Sequence, residues 1–374
     1  MHVSQRLLPV RTALAVVALA ALAACASGGT ATSDTLATVP SSTTESPTAS
    51  TAPATTEPAP VRAIDTVPVP EATTVDALLA LDRPIVIVHA GGDFDAPHST
   101  MYAFTQAALA GADVLEMDVM LTADGVLVVH HDDTVDRTTN STGKVRDLTY
   151  DQLSALDNAY WFSGDTWSDK SLPDTAYTLR GVRTGDTPTP EGYSPDDFRV
   201  ETFRSVAEAF PNHVLDIDIK IPTAADGTDD IAAGIEVARQ LATEIDDLGR
   251  TDSTIVVSFN VDVIAAFRDF APGVATSPGL ATLVTWYTGG PVEFAPTDVV
   301  FQVPPVYGGL EVLTPDVLAR AAADGFEVWV WMDDPSTQEN SAFYADLLDR
   351  GIEGLLVSKP ALGVQAVADH LAAG

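Results

Sequence analysis

The sequence predicts a (β/α)8 barrel, and three observations carry that expectation. From about Leu78 to the C-terminus, short apolar runs alternate with helical patterns about eight times. Several of these runs end in polar, chemically capable residues, which is how a parallel barrel builds its mouth. The ordinary globular part of the 374-residue chain is roughly 300 residues long, which suits one large barrel better than two smaller domains.

The N-terminal quarter is of another kind. Arg6 and Arg11 precede an apolar run from Thr12 to Ala24, so residues 1–24 are expected to be a secretory signal, too short to span a membrane. The run ends in Leu22-Ala23-Ala24-Cys25, which resembles the bacterial lipoprotein processing box, in which the cysteine becomes the lipidated N-terminus. Cys25 is the single cysteine, so no disulfide within the chain is possible. From Ala26 to about Glu71 the chain is Ser, Thr, Ala and Pro, which cannot bury enough apolar surface to fold. Residues 25–78 are therefore expected to tether a barrel of residues 79–374 to the extracytoplasmic face of the cell membrane. The net charge of −34 becomes −36 once Arg6 and Arg11 leave with the signal, which argues against a nucleic-acid partner.

The barrel elements follow in order. Ile85-Val86-Ile87-Val88-His89 reads as a fully buried strand whose last residue precedes Ala90-Gly91-Gly92. Ser99 is expected to cap a helix that stops at Gly111. Val114 to Asp132 reads as two neighbouring strands. Glu116 and Asp118 stand two apart, hence on one face, whereas His130 and His131 point to opposite faces. Residues 133–200 lose the pattern and are expected to form an insertion over the barrel mouth. A helix over Glu201–Phe210, a strand over Val214–Ile219 and a helix over Ile231–Leu248 follow. A strand over Ile255–Asn260 and a helix over Val261–Phe270 come next. The region from Gly273 to Pro305 holds one or two poorly marked strands. Pro315 opens a helix that Gly325 ends, and Phe326–Trp331 reads as a strand. A helix over Ser341–Arg350, a strand over Gly354–Val357 and a helix after Pro360 complete the chain.

Four strand ends thus offer His89, Glu116 with Asp118, one of His130 and His131, and Asp218 with Lys220. Carboxylates spent on a buried strand need a cation or a proton to neutralise them. Three carboxylates without a thiolate favour Ca2+ or Mg2+ over zinc. Lys220 adds positive charge for an anion, and two histidines can serve as general acid and base near neutral pH. The set suits hydrolysis of a phosphodiester. Asp216, deeper on its strand, reads as a partner for Lys220 or a core polar residue, and Trp331 as a packing residue that also lines the mouth.

At this point the chain resembles the glycerophosphodiester phosphodiesterase family. The run His89-Ala90-Gly91, Pro97-His98-Ser99-Thr100, Gly111-Ala112-Asp113, Glu116-Met117-Asp118-Val119, Thr122-Ala123-Asp124-Gly125 and His131-Asp132 follows the order of that family's motifs. Arg137-Thr138-Thr139, Gly143-Lys144-Val145, Asp218-Ile219-Lys220, Ser258-Phe259 and Trp331 continue it. The resemblance implies a TIM barrel of the phosphatidylinositol phospholipase C-like phosphodiesterase type with an insertion after the third strand. It implies metal ligation by Glu116, Asp118 and Asp218, acid–base catalysis by His89 and His131, and a phosphate contact from Lys220. It also selects His131 over His130. Ala90 stands where the family has an arginine, His98 where it has a glutamate, and Asp218 where it has a glutamate. His98 is therefore a candidate for the phosphate contact that the arginine would make. The expected reaction releases an alcohol and glycerol 3-phosphate. The departures suggest two alternatives, a phospholipase D-like action on intact phospholipids and a non-catalytic metal- and ligand-binding lipoprotein.

Overall fold

The computed structural model describes residues 61–374. Cys25, the signal segment and the first part of the expected tether lie outside the described residues. Eight parallel strands form the barrel wall, and helices pack around it. In chain order the strands are β1 (Ile85–Val88), β2 (Val114–Leu121), β3 (Leu127–Val129), β4 (Val214–Ile219), β5 (Thr254–Val257), β6 (Ala275–Thr276), β7 (Val300–Val303), β8 (Val306–Tyr307), β9 (Leu310–Glu311), β10 (Glu327–Trp331) and β11 (Gly354–Val357). The hydrogen-bonded order is β6-β5-β4-β2-β1-β11-β10-β7. A parallel bridge between Thr276 and Asp298 brings β6 to the approach of β7 and nearly closes the ring.

Three expectations are corrected. The second apolar run of the Val114–Asp132 stretch is not a barrel strand. β3 pairs antiparallel to β2, with Val119 opposite Val129, because the Thr122–Gly125 turn is too short for a parallel crossover. His131 therefore reaches the mouth from a hairpin arm. The count of eight is restored by the Gly273–Pro305 region, which supplies both β6 and β7. Second, the tether does not extend to residue 78. Arg62 pairs with Asp197 at 2.6 Å, and Ala72, with Val75 and Leu78 of a short helix over Val75–Leu79, packs in one cluster with Ile85, Val114 and Trp329 inside the barrel. A barrel interior must be plugged at its N-terminal end, and a five-residue helix leaves too little periodicity to be seen in sequence. Third, the helix over Met101–Ala110 is capped by Thr100, whose hydroxyl accepts from the Ala103 N–H at 3.1 Å, while Ser99 sits at φ 56° ahead of it.

Alternation along each strand sorts the side chains. Ile85, Ile87, Val114, Val214, Ile255, Val300 and Trp329 fill the barrel interior, and their neighbours face the helices. Trp329 is fully buried at the barrel axis, and a Cβ on Gly354 would come within 2.5 Å of its ring, so β11 needs glycine there. Residues 133–200 contribute short helices and two small apolar clusters, one around Val135, Val145 and Leu153, the other around Ala159, Val182 and Phe198. Asp165, Thr166 and Trp167 of this insertion reach the mouth.

Candidate active site

Residues of β1, β2 and β4 or just beyond them, together with His131, two positions past β3, converge on one cavity of about 740 Å³. His89 follows β1 in a tight turn where Ala90, Gly91 and Gly92 all have positive φ. A Cβ at Gly91 would come within 2.8 Å of Ala103, so the turn can pack on the Met101–Ala110 helix only with glycine. That turn aims the Ala90 N–H at the Glu116 carboxylate, 2.8 Å away. On the other side of β2, register pairs Glu116 with Asp216 and Asp118 with Asp218. This stacks four carboxyl groups in two layers inside the barrel.

In the lower layer Asp216 has a neutral partner. Gln302 on β7 donates to Asp216 at 2.8 Å across the barrel. Burial pushes the Asp216 carboxyl up to about 7, the Gln302 bond opposes this, and the charges of Asp218 and Asp118 add to it. Asp216 is thus a core polar residue and not a partner of Lys220. In the upper layer Lys220 Nζ lies between Asp118 Oδ1, at 2.7 Å, and Asp218 Oδ2, at 2.6 Å. Burial raises Asp118, but Lys220, His131 and His89 outweigh it and hold this carboxyl at about 2. Glu116 is pushed well above the usual carboxylate range by burial and by Asp118.

Two histidines are braced in the same way. His89 Nδ1 lies 3.1 Å from Asp93 Oδ1, and His131 Nδ1 lies 2.7 Å from Asp132 Oδ1. With Nδ1 tied to a carboxylate, Nε2 of each ring is left for exchange of protons or metal ligation. Asp132 is in turn gripped by Arg137, whose Nε and guanidinium nitrogen donate at 2.6 and 3.1 Å. Burial lowers the affinity of His89 for a proton, yet Asp93, Glu116 and Asp118 raise it further, to about 10. His98 completes a triangle of rings, 5.9 Å from both His89 and His131, which are themselves 6.3 Å apart. Its Nδ1 meets the Ser99 hydroxyl at 2.8 Å, and its buried Nε2 has no partner among the described residues. Burial, then Arg137 and the other histidines, keep His98 well below the ordinary histidine range, so it sits neutral among them. Trp167 stacks on His89 at 5.9 Å and meets His131 edge-on at 5.5 Å. His130 faces away, with Nε2 3.1 Å from the Thr134 carbonyl oxygen.

The structure brings His89, His98, His131, Glu116, Asp118, Asp218, Lys220 and Trp331 to the site region, with all but His98 lining the cavity itself. It does not bring Asp218 into a ligand cluster. Among the described residues two groups, His89 with Asp93 and His98 and His89 with Glu116 and Asp118, each have ligand atoms within 4.8 Å of one another, while Asp218 is held by Lys220. A divalent cation fits these residues. Asp118 Oδ2 and Asp218 Oδ1 are buried with no hydrogen-bond partner among the described residues, and Glu116, disfavoured as an anion by burial and by Asp118, gains from a positive charge placed beside it. Sequence reasoning missed three parts: the Asp93 brace on His89, the bond from Arg137 to Asp132, and Trp167. The i,i+4 spacing of His89 and Asp93 was a usable signal; nothing in the irregular insertion marked Trp167 above its other aromatics.

The family model for the glycerophosphoryl diester phosphodiesterase family matches residues 89–362. The chain belongs to that family. Human glycerophosphodiester phosphodiesterase 1 is 43% identical over 99 residues, 26% of this chain and 30% of that enzyme, so the chain matches less than a third of its length. A glycerophosphodiester phosphodiesterase of Bacillus subtilis is 25% identical over 288 residues, 76% of this chain and 87% of the relative. Among solved structures, an Agrobacterium tumefaciens glycerophosphodiester phosphodiesterase is 20% identical with a TM-score of 0.51, covering 75% of this chain and 99% of its own. An Oleispira antarctica phosphodiesterase in complex with its product sn-glycerol-3-phosphate is 17% identical with a TM-score of 0.53, covering 76% and 97%. These likenesses agree on the family's barrel fold.

Proposed function

We propose that the protein hydrolyses glycerophosphodiesters to an alcohol and glycerol 3-phosphate with the help of a divalent cation. The observation that carries this reading is the pair of braced imidazoles, His89 and His131, 6.3 Å apart beside the Glu116–Asp118 cluster. Rings at that spacing can lie on opposite sides of a phosphorus, which suits in-line displacement. One ring takes a proton from the attacking water or neighbouring glycerol hydroxyl as its oxygen bonds to phosphorus. The other gives a proton to the alcohol oxygen as its bond to phosphorus breaks. The nucleophile's proton and the leaving group's proton are thus both accounted for by side chains.

Glu116, Asp118 and Asp218 would hold the cation, Ca2+ or Mg2+ by the hardness of its oxygen ligands, and it would supply charge to the phosphoryl oxygens. Lys220 supports the same anion, and the unpartnered Nε2 of neutral His98 accounts for a further phosphate contact where the family arginine is missing. Trp167 stacks on the His89 ring and walls the site beside the acid–base pair. We place the protein on the extracytoplasmic face of the cell membrane, held through lipidated Cys25. The lipoprotein-like box supports this; no helix among the described residues is long and apolar enough to cross a membrane.

A panel of glycerophosphodiesters, assayed with added Ca2+ or Mg2+ and with chelator, tests the reading. The expected result is alcohol release with metal and none with chelator. Failure to turn over any diester with any divalent cation would overturn it in favour of a binding lipoprotein.

A further inference from the structure

The cavity is much larger than its chemistry requires. A glycerol phosphate is small and polar, whereas the cavity holds about 740 Å³, well within the range that takes drug-sized apolar ligands. From Val257 through Ala321 no residue lining it carries a charge. On this side it passes Gln302 and runs between the outward face of β7 and the helices over Leu280–Tyr287 and Pro315–Asp324, reaching Val317 and Ala321. Leu283, Trp286, Phe301 and Val328 form its walls. Most polar side chains along it are bonded elsewhere: Trp286 Nε1 donates to Asp324 at 2.7 Å, the Tyr287 hydroxyl to the Glu311 carbonyl at 3.0 Å, the Thr288 hydroxyl to the Val284 carbonyl at 2.9 Å and Gln302 to Asp216 at 2.8 Å.

The entrance points to the same kind of ligand independently. β8 and β9 form a hairpin whose two-residue turn, Gly308-Gly309, has φ of 58° and 80°. The hairpin leaves Tyr307 41% and Leu310 56% exposed at the cavity, with Phe259 and Val284 also exposed along the rim. Exposed apolar residues grouped at the mouth of an apolar cavity mark a binding surface and are not ordinary surface scatter.

We infer that the cavity accepts a long aliphatic chain borne by the phosphodiester, so that the substrate class is single-chain phospholipid diesters and not only their deacylated headgroups. The proposal rests on the hydrolytic reading above. The chain lies between the helices over Leu280–Tyr287 and Pro315–Asp324, with the diester beside His89 and His131. Continuity of the apolar cavity with the catalytic end selects a chain attached to the substrate over an unrelated ligand.

Two measurements separate this from the reading beneath it. The first compares kcat/KM for glycerophosphocholine and for 1-acyl-glycerophosphocholines of six, eight, ten and twelve carbons, all below micelle formation. KM is expected to fall with each added methylene, by about tenfold or more across the series. The second measures binding of dodecylphosphocholine in excess chelator, read by fluorescence of Trp286 and Trp331, so that no turnover is needed. Val317→Trp, which fills the far end, and Leu310→Asp, on the exposed rim, are expected to lose most of the chain-length gain in both measurements. Both should keep turnover of glycerophosphocholine, and unchanged melting temperatures establish that they fold. Equal kcat/KM along the series together with no chain binding would overturn the proposal while leaving glycerophosphodiester hydrolysis standing. Chain binding without turnover of any substrate would instead overturn the hydrolytic reading and keep the chain site.

Discussion

The two sides of the barrel mouth are built on opposite principles. From β1 to β4 the side chains at the strand ends are ionisable, and most are held by a second charged or polar group: His89 by Asp93, His131 by Asp132, Asp132 by Arg137, and Asp118 and Asp218 by Lys220. From β5 to β7 the lining is uncharged and mostly aliphatic and aromatic, and its shape comes from packing. The polar side is over-determined, so one deletion leaves a buried charge without its partner, which costs far more than the lost bond itself. The apolar side is graded, because burial energy scales with area and tolerates exchange of similar volumes. The difference teaches that chemistry and substrate selection are separable here, and they should fail separately.

The largest effect is expected on the polar side. His131→Ala removes a proton-transfer group and should lower kcat on glycerophosphodiesters by about 10²- to 10⁴-fold with little change in KM. Retention of full activity would remove His131 from the mechanism.

Next is a pH effect in the layer beneath. The folded-state pKa of Asp216, about 7, lies above the ordinary aspartate value near 4. Folding therefore favours its protonated form, and that stability is present in full below about pH 4 and is lost as pH rises towards 7. In chelated protein, Asp216→Asn should abolish this decline, gaining on the order of 2–4 kcal/mol over the parent at pH 7 relative to pH 4. Parallel stability curves for parent and variant would show that folding leaves the Asp216 pKa at its unfolded value.

Asp132→Asn keeps the shape of the His131 brace but removes its charge and the ion pair to Arg137. A loss of about 10- to 100-fold in kcat/KM is expected, together with a shift in the pH–rate profile that a purely structural role would not give. An unshifted profile would reduce Asp132 to a packing role. The smallest effect belongs to Trp167→Ala, which uncovers His89. The stacking it loses corresponds to about 2- to 10-fold in kcat/KM, and a variant indistinguishable from the parent would deny the ring any part in the site.

The sequence made the barrel legible because buried parallel strands such as Ile85–Val88 and Val214–Ile219 are uniform apolar runs interrupted only where chemistry interrupts them. Counting in twos places Glu116 with Asp118 on one face of its strand, and Asp218 with Lys220 on one face of another. What could not be read depended on partners distant in sequence. β3 resembles a barrel strand until its hairpin geometry shows it is antiparallel, and β6, with two residues, is too short to announce itself. The helix over Val75–Leu79 looked like the end of a polar tether because its apolar residues matter only once a barrel stands above them. The pairing of Lys220 was open in sequence, since Asp216 and Asp218 share its face of the strand; register against β2 sets Asp118 beside Asp218, and Lys220 bridges those two. The apolar side of the mouth left no motif at all, because hydrophobic side chains lining a cavity read the same as those filling a core.

The two-residue β6 also sets where the wall can open. The ring is carried past it by a single bridge, by Thr276 and Arg268 meeting Asp298, and by backbone bonds from Thr276 to Thr297 and from Val299 to Thr276. Amides in this seam should exchange with solvent earlier than those of β1, β2 and β4, whose ladders are longer. Local opening there would widen the route between the helices while the histidines, anchored on the opposite side of the ring, keep their spacing. The barrel can thus breathe at its substrate entrance without loosening its catalytic centre.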